Sequence, residues 1–189
     1  MSVIKIEKYE SSDFDLEVDW KIRPSSPNAP LLPVWRYNDP TAVYKFNDNF
    51  SITISIERAV YLSCCKAGFF NYDLNQDESV LLGDNIGSNL PIHLVFDPPI
   101  SALGAYGSAD TTPGEEYQRL LAILPDDDQS WQILSSTAPV TRTRGAATFM
   151  GATATGNSRI KEMWFDMVNI PGNSYDIRQV GIGTLYVKR

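Results

Sequence analysis

Histidine and cysteine are almost missing from this chain: one His and two Cys in 189 residues. The single histidine, His93, rules out any metal site built from several imidazoles and leaves little scope for histidine-based acid–base chemistry. A lone strand histidine reads as a surface or hydrogen-bonded structural residue. Cys64 and Cys65 are adjacent, where a disulfide is strained, so there is no disulfide framework. They read as buried apolar residues or free thiols, and Cys64 is in phase with Val60 and Leu62. Long apolar runs are also lacking. Nothing approaches the ~20 apolar residues of a membrane helix, and Met1–Lys5 has no apolar signal core. The expectation is no membrane partner and, for the chain as it stands, either a cytoplasmic location or an export signal already removed. Basic residues are in deficit, 16 against 23 acidic, for a net charge of −7. With no Lys/Arg run to override it, that charge repels phosphate backbones, so nucleic acid is not an expected partner. No Gly-x-Ser-x-Gly elbow occurs, and no glycine-rich phosphate loop leads from a strand into a helix.

What the chain does contain is ordinary globular material, 43% hydrophobic and 21% charged. At this length roughly 70% of the unfolded surface can be buried, enough for one core without staples. Period-two alternation dominates. Phe14, Leu16, Val18, Trp20 and Ile22 share one face, and Asp13, Asp15, Glu17, Asp19, Lys21 and Arg23 the other. Ile52, Ile54 and Ile56 repeat the pattern. Further strands are expected at 43–46, 58–65, 92–96, 102–106, 117–124, 130–134, 148–154, 160–168 and 181–187, separated by breakers such as Asn47-Asp48-Asn49 and Asp97-Pro98-Pro99. Residues 114–124 also contain good helix formers, but Tyr117, Arg119, Leu121 and Ile123 alternate, which favours a strand. The reading is one all-β domain over 1–189, a two-sheet antiparallel sandwich of the jelly-roll type, with 80–187 as its core and 1–79 as an extension. The expected buried set is Phe14, Leu16, Val18, Trp20, Ile52, Ile54, Ile56, Leu94, Phe96, Phe149, Met163, Phe165, Ile182 and Val187. Pro24, Pro27, Pro30 and Pro33 recur at the polyproline II period and read as a stiff crossover, or as a ligand for a proline-recognising module.

Two constellations are candidate sites. Asp73, Asn75, Asp77 and Asp84 occupy positions one, three, five and twelve of a twelve-residue stretch, the spacing of an EF-hand or dockerin calcium loop, although Glu78 stands where that loop has Gly. The alternative is a polar hairpin. The second lies on the strand 160–168. If Met163, Phe165 and Met167 face the core, Glu162, Trp164 and Asp166 face out. An indole between two carboxylates suits a sugar, whose C–H patches stack on the ring while its hydroxyls donate to the acids. The alternative is an indole covered by another segment or subunit. Trp35 and Tyr37 form a second aromatic pair beside the Pro-rich loop.

The second half of the chain resembles secreted bacterial β-sandwich domains, described as galactose-binding-like, of the kind found in PEP-CTERM proteins. The resemblance is carried by Pro91–Ala105, by Tyr117–Leu124, by Ala147–Gly151, and by Ile160, Met163 and Phe165 followed by Tyr175–Val180, and it covers roughly residues 80–187. Arg178 stands where that family often has Asp or Asn. The resemblance implies a galactose-binding-like sandwich and a secreted protein. The expected function is a non-catalytic binding module for carbohydrate. The alternative is a structural or protein-interaction domain, self-associating as a homo-oligomer; a hydrolase using paired carboxylates ranks third.

Overall fold

Alternating apolar residues become strands almost wherever they occur, because each strand buries one side against a second sheet. The computed structural model describes residues 3–20, 34–35, 41–47, 49–55, 61–66, 73–75, 79–84, 92–110, 114–141, 143–170, 177 and 179–189; of residues 34–35, 41–47, 55, 61–66, 79, 82–84, 110 and 179 it describes the backbone alone. The strands are β1 (Val3–Ile6), β2 (Leu16–Val18), β3 (Val34–Trp35), β4 (Thr41–Asn47), β5 (Phe50–Ser55), β6 (Tyr61–Lys66), β7 (Ser79–Asp84), β8 (Ile92–Ile100), β9 (Ala102–Asp110), β10 (Glu116–Pro125), β11 (Gln132–Pro139), β12 (Thr148–Ala154), β13 (Ile160–Asn169) and β14 (Gln179–Lys188). They form two antiparallel sheets packed as a sandwich. One runs β1-β12-β9-β14-β7-β6-β3 with β2 also beside β14; the other runs β11-β10-β13-β8-β5-β4. Residues before 80 therefore contribute to both sheets.

The core is filled by the inward rows of the two sheets. Leu103, Ala105, Ala109, Val180, Ile182, Leu185 and Val187 face Ile52, Ile54, Leu94, Phe96, Leu121, Ile123, Met163 and Phe165. The Phe165 ring reaches across to Gly107, where an added Cβ would lie 2.2 Å from its Cζ. The expected core positions that are described are buried, except Phe14 and Leu16, which are half-buried. Ile56, Ile22, Val60 and the proline-rich stretch lie outside the described residues, and the side chains of Leu62, Cys64 and Cys65 are not described.

Several local expectations are corrected. The strand expected from residue 13 shrinks to β2, because it pairs only with Leu185–Val187 of β14 and is preceded by a 3-10 turn at Ser11–Asp13. Phe14 leaves the core row and joins Tyr9, Phe149 and Tyr186 in a ring cluster. That cluster lies on the outer surface of the eight-stranded sheet. Phe149 is buried there, beneath this N-terminal segment and over Gly104, whose Cβ would meet its Cζ at 2.2 Å. Asp97-Pro98-Pro99 does not break the chain but lies inside β8. The register on β13 shifts between Ile160 and Glu162, pairing them with Ile100 and Val95, so the two prolines sit where the ladder is interrupted and their missing N–H groups leave no bond unmade. Trp20, fully buried, donates its Nε1–H to Gly183 O (2.7 Å), beside the point where the partner of β14 changes from β7 to β2.

Candidate functional site

Glu162, Trp164 and Asp166 stand on the outer face of β13, as alternation requires, while Met163, Phe165 and Met167 are buried beneath them. Across the ladder, Trp164 is flanked by His93 on β8 and Ala122 on β10. The indole and imidazole stack, with ring centres 4.3 Å apart and planes 13° from parallel. The Nε2–H of His93 donates to Glu162 Oε2 at 3.0 Å, and since a carboxylate only accepts, this fixes the proton on Nε2. His93 Nδ1 is buried and has no hydrogen-bond partner among the described residues. Lys161 Nζ lies 3.4 Å from Glu162 Oε1. The indole is thus held from one side by a ring that is itself held by a carboxylate.

The other side of the indole faces β10. Trp131 stands nearly perpendicular to Trp164 (81°), with ring centres 6.2 Å apart, and 6.4 Å from His93. A ring lying on the far face of Trp164 would be much farther from His93 than from Trp164. Trp131 therefore flanks the stack rather than lying on that face. The residue below is Ala122, whose methyl is too short to cover an indole and which is itself only half-buried. Beyond Ala122, its ladder partner on β11 is Ile133, 68% exposed. Trp164 and Ile133 thus flank Ala122 across the outer face, with Glu162 and Asp166 two residues either side of Trp164 on β13. Asp166 Oδ1 accepts the N–H of Met167 (2.8 Å), which orients its carboxylate.

The other candidates fare differently. Trp35 lies in β3 with its side chain not described, and Tyr37 is outside the described residues. Of the candidates Asp73, Asn75, Asp77 and Asp84, only Asp73 and Asn75 have described side chains. Ser79–Asp84 is the extended strand β7, paired with both β6 and β14. Six extended residues place their ends about 16 Å apart, whereas ligands at positions seven and twelve of a calcium loop must meet on one ion. Asp77 is outside the described residues, and Asn75 is exposed. Asp73 is 2% exposed, and its carboxylate is committed elsewhere. Its Oδ1 accepts from Thr141 N (3.1 Å), Thr141 Oγ1 (2.8 Å) and Thr143 N (2.9 Å), and its Oδ2 from Thr141 N (3.0 Å). Asp73 N donates to Ser108 Oγ (3.2 Å), and Asp73 O accepts from Ala147 N (2.9 Å). The residue staples the β11–β12 connection to β9. Among the described residues, no group of three or more His, Cys, Asp or Glu is placed to hold a metal ion.

Sequence reasoning gave no site role to three residues. His93 and Trp131 complete the aromatic corner around Trp164, and only the strand register brings them there. Arg119 is 4% exposed on the inward row of β10. Its Nη1 donates to Thr148 O (2.9 Å), its Nε has no partner, and burial pushes its guanidinium below the usual value. Its signal was present, since it falls in phase with Tyr117, Leu121 and Ile123. Among the described residues, no helix is long and apolar enough to cross a membrane. No family model, no curated protein and no solved structure matches the chain.

Proposed function

We propose that this domain is a non-catalytic carbohydrate-binding module that works through the outer face of its six-stranded sheet. The observation that carries the reading is the half-buried Trp164 indole on the outer face of β13, braced on one face by His93 and set between Glu162 and Asp166. A rigid aromatic face loses little conformational freedom when a sugar's C–H patch stacks on it. Flanking carboxylates disfavour a purely apolar partner, because their charge would have to be desolvated, but they serve a hydroxyl-rich one. The resemblance of residues 80–187 to galactose-binding-like domains supports the same reading. A glycan array probed with the native protein and with Trp164→Ala tests it. Capture of a coherent set of glycans by the native protein and not by the variant is the expected result. Equal signals from both, or none from either, would overturn it.

One observation favours a second reading, a protein-interaction domain that self-associates. Ile133 and Trp131 are 68% and 40% exposed at β11, the edge of the six-stranded sheet, within a stretch, 130–141, that carries no charged residue. Uncharged edges with exposed apolar side chains invite pairing. Sedimentation of the native protein and of Ile133→Lys separates the two readings.

A further inference from the structure

We infer that two copies of this chain join end to end about a two-fold axis, with β11 pairing antiparallel to its own copy and β1 lying beside its own copy. This rests on the self-association reading and names the edges, the symmetry and the register. Among the described residues both sheets end at the same side of the sandwich, one on β1 and the other on β11. Lys5 follows Val3 on the inward row of β1, spans the gap and donates from Nζ to Ser135 O (2.8 Å). Ile4, Trp131 and Ile133 are the exposed large hydrophobics among the described residues, and all three lie on or next to these two strands.

The backbone of β11 shows which groups are on offer. Just past its end, Val140 N donates to Glu115 O (3.3 Å) and Val140 O accepts from Gly114 N (2.7 Å), so this residue faces the β10 side. By alternation Pro139, Thr137, Ser135 and Ile133 turn to the open edge. Pro139 has no N–H to lose there, and the Lys5 contact with Ser135 O agrees. Ile133, Ser135 and Thr137 thus carry N–H groups with no partner among the described residues. Pairing centred on Ser135 sets that residue opposite itself and Ile133 opposite Thr137, and it closes about six backbone hydrogen bonds. Ser135 O has a second lone pair and keeps Lys5 as well.

The occupant is a second copy because one axis serves both edges. Lys5 and Ser135 are central in their strands, so an axis through their contact and perpendicular to the sheets sets each edge antiparallel to its own copy. Charge permits the approach. The chain carries −7 overall, but residues 130–141 have no charge and Lys5 is paired with Glu7 (2.7 Å). The opposite edges are guarded, β3 by its two-residue length and β4 by Lys45. About 27 Å of β11 and a depth of about 20 Å across both sheets give each copy roughly 500 Å². That is the low end for a specific complex, so the dimer is of micromolar strength. The axis leaves the outer faces clear and puts both Trp164 rings on one side of the extended sheet.

The test is sedimentation velocity over about 1 μM to 1 mM protein, with the native chain, Ile4→Lys and Ser135→Cys. The native protein should pass from monomer to dimer and stop there, because a two-fold contact closes on itself. Ile4→Lys, which puts two like charges beside the axis on the other sheet from Ile133, should weaken the dimer at least about tenfold while the melting temperature holds. Ser135→Cys should be trapped as a covalent dimer by mild oxidation, since opposed residues of a hydrogen-bonded pair lie about 5.5 Å apart, within disulfide reach. The native chain, with Cys64 and Cys65 in place, is the control and should not be trapped. A dimer that withstands Ile4→Lys, that Ser135→Cys fails to trap, or that grows into larger species would overturn this inference and leave self-association standing. A chain that stays monomeric throughout would overturn both.

Discussion

The Trp164 indole lies flat on the imidazole of His93, 4.3 Å from centre to centre, and His93 is in turn tied to Glu162. Removing the indole therefore has two separable effects. Trp164→Ala should abolish glycan binding, and it should also lower stability by about 1–2 kcal/mol, for a lost ring stack and partial burial. That is less than the roughly 3–5 kcal/mol of an aromatic core truncation. Urea denaturation measures it, and a loss in the core range would make Trp164 a structural residue.

His93 braces the indole by its ring and holds Glu162 by its Nε2–H. His93→Phe keeps a flat ring and deletes the unpartnered Nδ1, while Lys161 remains near Glu162. Its stability should stay within about 1 kcal/mol of the native protein, with glycan affinity largely kept. His93→Ala leaves the indole unsupported, and affinity should fall. Equal losses from the two variants would assign the role to the Glu162 hydrogen bond instead.

Asp73 is predicted to be a keystone rather than a metal ligand. Hydrogen bonds to a charged group contribute about 1.5–3 kcal/mol each, so Asp73→Ala should cost several kcal/mol and loosen Thr141 and Thr143, while its backbone bonds to Ser108 and Ala147 remain. Hydrogen exchange at the amides of Thr141 and Thr143 reports it directly. Millimolar calcium should leave the native melting curve in place. A calcium-induced rise that vanishes in Asp73→Asn would restore the metal reading.

Arg119 is a desolvated cation with one carbonyl partner. An apolar side chain of similar length avoids its burial penalty, so Arg119→Met should be neutral or stabilising by about 1–3 kcal/mol. A loss of that size in thermal denaturation would mean the guanidinium holds the β10–β12 contact.

Gly104 leaves room for the Phe149 ring, which an added methyl would meet at 2.2 Å. Gly104→Ala should cost about 1–3 kcal/mol through overpacking, and the second change Phe149→Leu should recover part of it. Strict additivity in this double-mutant cycle would refute the coupling.

How much of this was legible follows from the range of each signal. The outward set Glu162, Trp164 and Asp166 could be read from alternation, because period two is a local property of one strand. The stack on His93 could not, since it depends on a register pairing Trp164 with a residue on another strand. The partners of Asp73 were hidden for the same reason: its donors are Thr141 and Thr143, far along the chain. Phe14 kept the strand's phase in sequence, but a 3-10 turn carried it to the opposite surface of the sheet. Arg119 was legible as an inward charge from phase alone.

The position of β14 bears on how the molecule comes into being. It lies inside the eight-stranded sheet, and its neighbours β2, β7 and β9 all precede it by long stretches of chain; Val187 pairs with Leu16. Until residues 179–188 leave the ribosome, the apolar rows of β7 and β9 have no strand between them, and the Trp20 indole has no Gly183 carbonyl to bind. Assembly of this sheet thus waits for a strand made long after its neighbours, which predicts a slow, high-contact-order search and a window in which the nascent chain depends on chaperones.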